Sequence, residues 1–92
     1  MEQKRYRIHF KGMVQGVGFR WRARTNAQML GLTGWVQNLW DGSVLMEVQG
    51  PERAIDRLLA EIDRGSFIHI DSVEKTALPL DESESMFRVK GY

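Results

Sequence analysis

The sequence predicts an α+β domain in which two helices lie on one face of an antiparallel sheet. Three observations carry that prediction. Arg5 to Lys11 alternates polar and apolar residues, the period of a strand with one buried face. Two stretches repeat their apolar residues at helical spacing, one on each side of a pair of strand-like runs. Those two runs are separated by Trp40-Asp41-Gly42-Ser43, whose Asp-Gly pair signals a hairpin because a primed turn needs positive φ.

Taken in order, the first strand leads into a loop from Gly12 to Gly18 that holds three glycines. Phe19, Ala23, Ala27 and Leu30 then mark the buried stripe of a first helix, with Gly31 as its stop. Trp35 to Asn38 forms the second strand, and Val44, Met46 and Val48 form the inward face of the third. Gly50-Pro51-Glu52 opens a second helix: proline is preset for the first helical position, and an acid there suits the dipole. Ile55, Leu58, Leu59 and Ile62 form its stripe, and Gly65 ends it. Val73 to Leu78 and Phe87 to Lys90 supply the last strands, with Leu80 to Ser85 as the loosest segment. The order is βαββαβ with a short addition, the split-βαβ, ferredoxin-like sandwich. In such a unit the second strand runs parallel to the first after a right-handed crossover. The glycine loop, Arg20 and Asn38 are therefore expected at one edge of the sheet.

Composition bounds the rest. The chain has 92 residues, 42% of them hydrophobic and 27% charged, as expected for a single domain over residues 1–92 with one modest core. Zero cysteines exclude disulfides, thiol nucleophiles and cysteine-based metal sites. No apolar run approaches the roughly 18–20 residues that span a bilayer, and the N-terminus lacks a signal-type apolar stretch, so a cytoplasmic location is expected. The formal charge is +1 overall, yet residues 1–32 carry seven bases and one acid. That asymmetry points to an anionic partner for the first third.

The run Gly12-Met13-Val14-Gln15-Gly16-Val17-Gly18-Phe19-Arg20 lies between a strand and a helix. Glycines there let successive N–H groups turn inward around an anion, and the helix dipole adds to them. Arg20 can fork onto two phosphate oxygens. Its charge opposes the helix dipole, which an intervening anion would explain. The known nucleotide fingerprints do not fit: no Lys-Ser/Thr pair follows the loop, and Trp21 stands where a third glycine is required.

Val14-Gln15-Gly16-Val17-Gly18-Phe19-Arg20, followed by Gly34-Trp35-Val36-Gln37-Asn38-Leu39-Trp40-Asp41-Gly42-Ser43-Val44, resembles the acylphosphatase family. The resemblance runs from about Tyr6 to Tyr92 by element order. It implies a hydrolase that splits an acyl phosphate into a carboxylate and inorganic phosphate, with no metal or cofactor. It places the family's phosphate-binding arginine at Arg20, its water-holding asparagine at Asn38 and its phosphate loop at Gln15, Gly16, Val17, Gly18, Phe19 and Arg20. Trp40 is bulkier than the family pattern leads one to expect.

The chemistry stands beside that resemblance. A departing carboxylate is a weak base and needs no strong general acid. Donors around the equatorial oxygens and an aligned attacker then suffice. Loop amides with Arg20 would hold the phosphate, and the Asn38 amide oxygen would accept from an in-line water. The expected partner is a small acyl phosphate, with inorganic phosphate as product, no nucleic acid, no membrane and a monomeric chain.

The rival readings are a non-catalytic small-anion-binding regulatory domain and an RNA-recognition module. The latter requires an aromatic motif that Ser43 to Val48 lacks. Asn38 could equally bond only to its turn. His9 reads as a solvated histidine on the sheet face, and His9 and His69 are too few for a metal site. Arg22 and Arg24 read as solvated, while Trp21 and Trp40 could edge the site or simply pack.

Overall fold

The computed structural model describes residues 2–91, with elements β1 (Gln3–Met13), α1 (Phe19–Met29), β2 (Thr33–Asn38), β3 (Val44–Pro51), α2 (Glu52–Asp63), β4 (His69–Leu78) and β5 (Phe87–Lys90). The predicted element order is the one observed. The sheet order is β4-β1-β3-β2-β5. Because β1 and β2 both run antiparallel to β3, they are parallel to each other, as a split βαβ unit requires. β5 pairs parallel with β2, so the five-stranded sheet is mixed rather than purely antiparallel. No helix among the described residues is long and apolar enough to cross a membrane.

The period-2 pattern explains the core. Ile8 and Phe10 from β1, Val36 from β2, and Val44, Met46 and Val48 from β3 point to one face and are buried. Phe19, Ala23 and Ala27 of α1 and Ile55, Leu58 and Ile62 of α2 close over them. Phe19 meets Phe10 edge-on, with ring centroids 4.9 Å apart and planes at 62°. Burying a ring of this size contributes about 1.5–3 kcal/mol, which anchors the first turn of α1 over the end of β1.

Several boundaries depart from expectation. Gly12 belongs to β1 rather than to the loop. The β1–β4 register shifts between Lys11 and Gly12, and a Cβ on Gly12 would meet the His69 carbonyl oxygen at 2.2 Å. Glycine therefore lets β4 approach, and β4 starts at His69 rather than at Val73. Pro51 is not the first helical residue but the N-cap, at φ −60° and ψ 138°. The β2–β3 hairpin is not a primed two-residue turn either: Gly42 alone has positive φ there, at 91°. Leu39 N–H donates to the Ser43 carbonyl at 2.9 Å and Gly42 N–H to the Leu39 carbonyl at 3.2 Å, a turn closed by a left-handed glycine.

The segment from Leu80 to Ser85 is tied to the open face of the sheet. Asp81 N–H donates to Gln49 at 2.8 Å, and Gln49 returns a bond to the Asp81 carbonyl at 3.1 Å. Glu84 accepts from Arg5 at 2.7 Å, and Arg5 also reaches Glu47 at 2.9 Å. Arg5 is therefore committed to the fold, and the basic excess of the first third does not all face solvent.

Candidate active site

β1 ends, the chain turns through two left-handed glycines, and α1 begins. Gly16 has φ 70°, and Gly18, the N-cap of α1, has φ 82°. Residues with a Cβ adopt such angles at a cost of roughly 1–2 kcal/mol each, which explains glycine at both positions. A glycine cap brings no side-chain oxygen to the helix N-terminus, and the first turn of α1 carries no acid. Its leading N–H groups thus lack the usual intramolecular acceptor and keep their attraction for an anion.

Asn38 comes to the same place from the far end of the split unit. In register, Phe10 pairs with Val44 and Val44 with Asn38, so the three form one row across the sheet. Asn38 is in phase with Val36 and faces the helices, where an apolar residue is the rule; it is only 5% exposed. Its Oδ1 is buried with no hydrogen-bond partner among the described residues. Leaving such an oxygen unsatisfied costs about 1–3 kcal/mol, a cost a mere turn contact would have avoided. The turn beside it makes its bonds elsewhere: Gln15 Nε2 donates to the carbonyls of Leu39, at 2.7 Å, and Ser43, at 2.8 Å. The carboxylate of Asp41 accepts from the Ser43 amide at 3.0 Å and from its hydroxyl at 2.5 Å. Those two bonds, the hydroxyl's first, hold the Asp41 carboxyl below its ordinary pKa.

Val14, Gly16, Gly18, Phe19, Arg20, Trp21 and Asn38 line one concavity of about 190 Å³. The structure thus brings together Gly16, Gly18, Phe19, Arg20 and Asn38, the last two eighteen positions apart in sequence. Val17 lies on the wall of a neighbouring concavity instead. Gln15 is on neither wall; its side chain clamps the β2–β3 turn to the glycine loop. The clamp was not anticipated, and a polar residue between glycine-loop neighbours gives no sign of which turn it will meet.

Two other readings change. His9 is half-buried, with Nε2 2.8 Å from the Ser43 hydroxyl, so it braces the same turn rather than standing in solvent. Arg22 donates to the Glu61 carbonyl at 2.6 Å and fastens α1 to the end of α2. Arg24 is exposed, as expected. Trp21 is 62% exposed on the rim of the concavity, and Trp40, 94% exposed, is on neither wall.

The acylphosphatase family profile matches residues 6–89. An acylphosphatase of Clostridium beijerinckii is 39% identical over 87 residues, covering 94% of this chain and 97% of its own length. One from Burkholderia thailandensis is 43% identical over 84 residues, covering 90% and 86% respectively. The crystal structure of the Bacillus subtilis acylphosphatase superposes with a TM-score of 0.87 at 33% identity, covering 95% of this chain and 98% of that one. A buried asparagine facing a capless helix start, on a sheet of this order and with relatives matched over nearly their full length, leads to one conclusion: the chain belongs to the acylphosphatase family, and its activity is that of an acylphosphatase.

Proposed function

We propose that the phosphoryl group of an acyl phosphate is held by Arg20 and the main-chain N–H groups from Gln15 to Phe19, while Asn38 orients the attacking water. The observation that supports this reading is that Asn38, whose buried Oδ1 has no hydrogen-bond partner among the described residues, lines the same concavity as Arg20 and the start of α1. An acceptor in that place takes a hydrogen bond from a water molecule and aims its lone pair at phosphorus. The water oxygen bonds to phosphorus as the bond from phosphorus to the acyl oxygen breaks, and the carboxylate leaves with the electron pair. The water's proton passes to a phosphate oxygen, so no side-chain base is required. The arginine and the amides meet charge spread over the equatorial oxygens. Arg20 gains from this arrangement too: an anion between it and the helix N-terminus turns an unfavourable dipole contact of roughly 0.3–1 kcal/mol into a shared attraction.

Leaving-group chemistry supplies the test. A carboxylate departs with a conjugate-acid pKa of about 4, whereas an alkoxide must be protonated as it leaves. In metal-free buffer the protein is expected to hydrolyse acetyl phosphate and benzoyl phosphate, and to leave an alkyl phosphomonoester untouched. Comparable rates on the monoester would contradict the mechanism, because no acid is assigned to the concavity.

A further inference from the structure

His9 lies on the face of the sheet away from the helices, behind the concavity rather than in it, since Ile8 and Phe10 on either side of it fill the core. From there a chain of polar contacts crosses from β4 to the β2–β3 turn. His9 Nδ1 is 3.7 Å from the carboxylate of Glu74, its register partner on β4, and Nε2 is 2.8 Å from the Ser43 hydroxyl. We infer that His9 is a positioning residue for the hydrolysis: its charge state sets how firmly the turn holds Asn38, so kcat falls as the imidazole loses its proton. The inference rests on the reading of Asn38 given above.

The direction of each hydrogen bond follows from the donors present. An ionised carboxylate only accepts, so the Ser43 hydroxyl gives its proton to Asp41 and Nε2 must be the donor to Ser43. A protonated imidazole serves both ends at once, with one N–H on Ser43 and the other toward Glu74. A neutral ring has one N–H to divide between them. Kept on Nε2, it leaves a lone pair turned toward the Glu74 carboxylate. Kept on Nδ1, it leaves Nε2 to accept the Ser43 proton, and the bond from Ser43 to Asp41 is lost. Ser43 in turn fixes the backbone beside Asn38: its carbonyl accepts from the Leu39 amide at 2.9 Å and from Gln15 at 2.8 Å. The remaining charges near the ring are engaged elsewhere or open to solvent. Glu47, diagonal to His9 on β3, is held by Arg5 and Arg7, and Leu45, the β3 register partner, is uncharged. Arg7 and Lys11, two positions away on β1, are exposed. None of the residues lining the concavity changes charge near neutral pH, whereas histidine is the side chain that does so between pH 5 and 8.

The test follows kcat on saturating acetyl phosphate from about pH 5.5 to about pH 8.5 in the wild type, His9→Gln, Ser43→Ala and His69→Gln. Glutamine keeps an N–H donor at position 9 and does not titrate. The ratio of wild-type to His9→Gln kcat, in which the substrate's own ionisation cancels, is expected to fall about threefold from the acid to the alkaline end. KM and inhibition by inorganic phosphate should agree between the two proteins within about twofold at each pH. Ser43→Ala keeps the imidazole but cuts its route to the turn. The ratio of wild type to that variant should show the same fall, which covers the case of a His9→Gln protein that does not fold. His69→Gln, which removes the other histidine of the chain, should track the wild type at every pH. Ratios that do not change with pH overturn the inference while the role of Asn38 stands, and so does a fall carried by KM alone or one that disappears in His69→Gln. An Asn38→Ala protein with near-normal kcat overturns the reading underneath, and this inference with it.

Discussion

Arg5 and Asn38 are both polar, both 5% exposed, and sit at opposite ends and on opposite faces of the same sheet. Arg5 lies in the row with Gln49 and Thr33, and its guanidinium meets Glu84, Glu47 and Gln49 at 2.7, 2.9 and 3.3 Å. The bonds to the two glutamates, Glu84's first, raise its pKa above the ordinary guanidinium value, so it stays charged at every working pH. Asn38 lies at the other end, and its Oδ1 has no partner among the described residues. Equal burial thus has two meanings. A buried polar group whose bonds are made within the chain holds the fold, whereas one left without a partner, on a residue that lines a concavity, points to a role beyond the fold, as proposed above for Asn38.

The sharpest way to break this contrast is to remove the cradle's charge and its acceptor separately. Arg20→Ala is expected to abolish measurable turnover, a loss beyond about 10³-fold, together with inhibition by inorganic phosphate, because its charge serves bound and reacting states alike. Asn38→Ala is expected to lower kcat by about 10²–10³-fold while phosphate inhibition stays within about twofold. Its melting temperature should barely move, since an unsatisfied oxygen is removed along with the side chain. Steady-state kinetics with phosphate as inhibitor, beside a thermal melt, check both variants. An Asn38→Ala protein with near-normal kcat would turn the open bond into an accident of packing.

The opposite pattern is expected at Arg5. Arg5→Ala leaves Glu47 and Glu84 facing each other at the sheet surface without the cation between them. Breaking so enclosed a pair costs about 3 kcal/mol. For a chain of this size that lowers the melting temperature by more than about 10 °C. Assayed where the variant is still folded, kcat should stay within about twofold of wild type, since the row that holds Asn38 lies at the far end of the sheet. A large kcat loss without a stability loss would erase the distinction between the two ends.

That distinction was only half legible in the sequence, for a physical reason. Helical and strand periods fixed the element order, because each stripe such as Ile55-Leu58-Ile62 is set by near neighbours. The convergence of Gly16, Gly18, Arg20 and Asn38 was legible too, because a right-handed crossover leaves one arrangement for parallel strands. A finer signal went unused: Asn38 falls in phase with Val36, so its burial could be read from the two-residue period. Arg5 gave no such sign. Its partners lie 42 and 79 residues away, and one belongs to the segment that looked loosest. The bond from Gln15 to the hairpin is invisible for the same reason, being a contact between two loops that no periodicity links.

Between the two extremes stands the Asp41 turn, whose bonds are made but exposed, and it should give the smallest effect. The Ser43 hydroxyl and amide hold the Asp41 carboxyl below its ordinary pKa. A carboxylate depressed on folding adds stability above its unfolded pKa, and that contribution disappears as pH falls through the folded value. Asp41→Asn should therefore melt slightly below wild type at pH 7, with the gap closing as the pH is lowered through the acid range. Turnover should fall by no more than a few-fold at pH 7, because Gln15 still clamps the same turn and keeps Asn38 in its row. Melting curves of the two proteins taken from pH 7 downward decide the matter. A gap that widens on acidification would mean that the Asp41 charge is tolerated by the fold rather than used by it, and the turn would then belong with Asn38 rather than with Arg5.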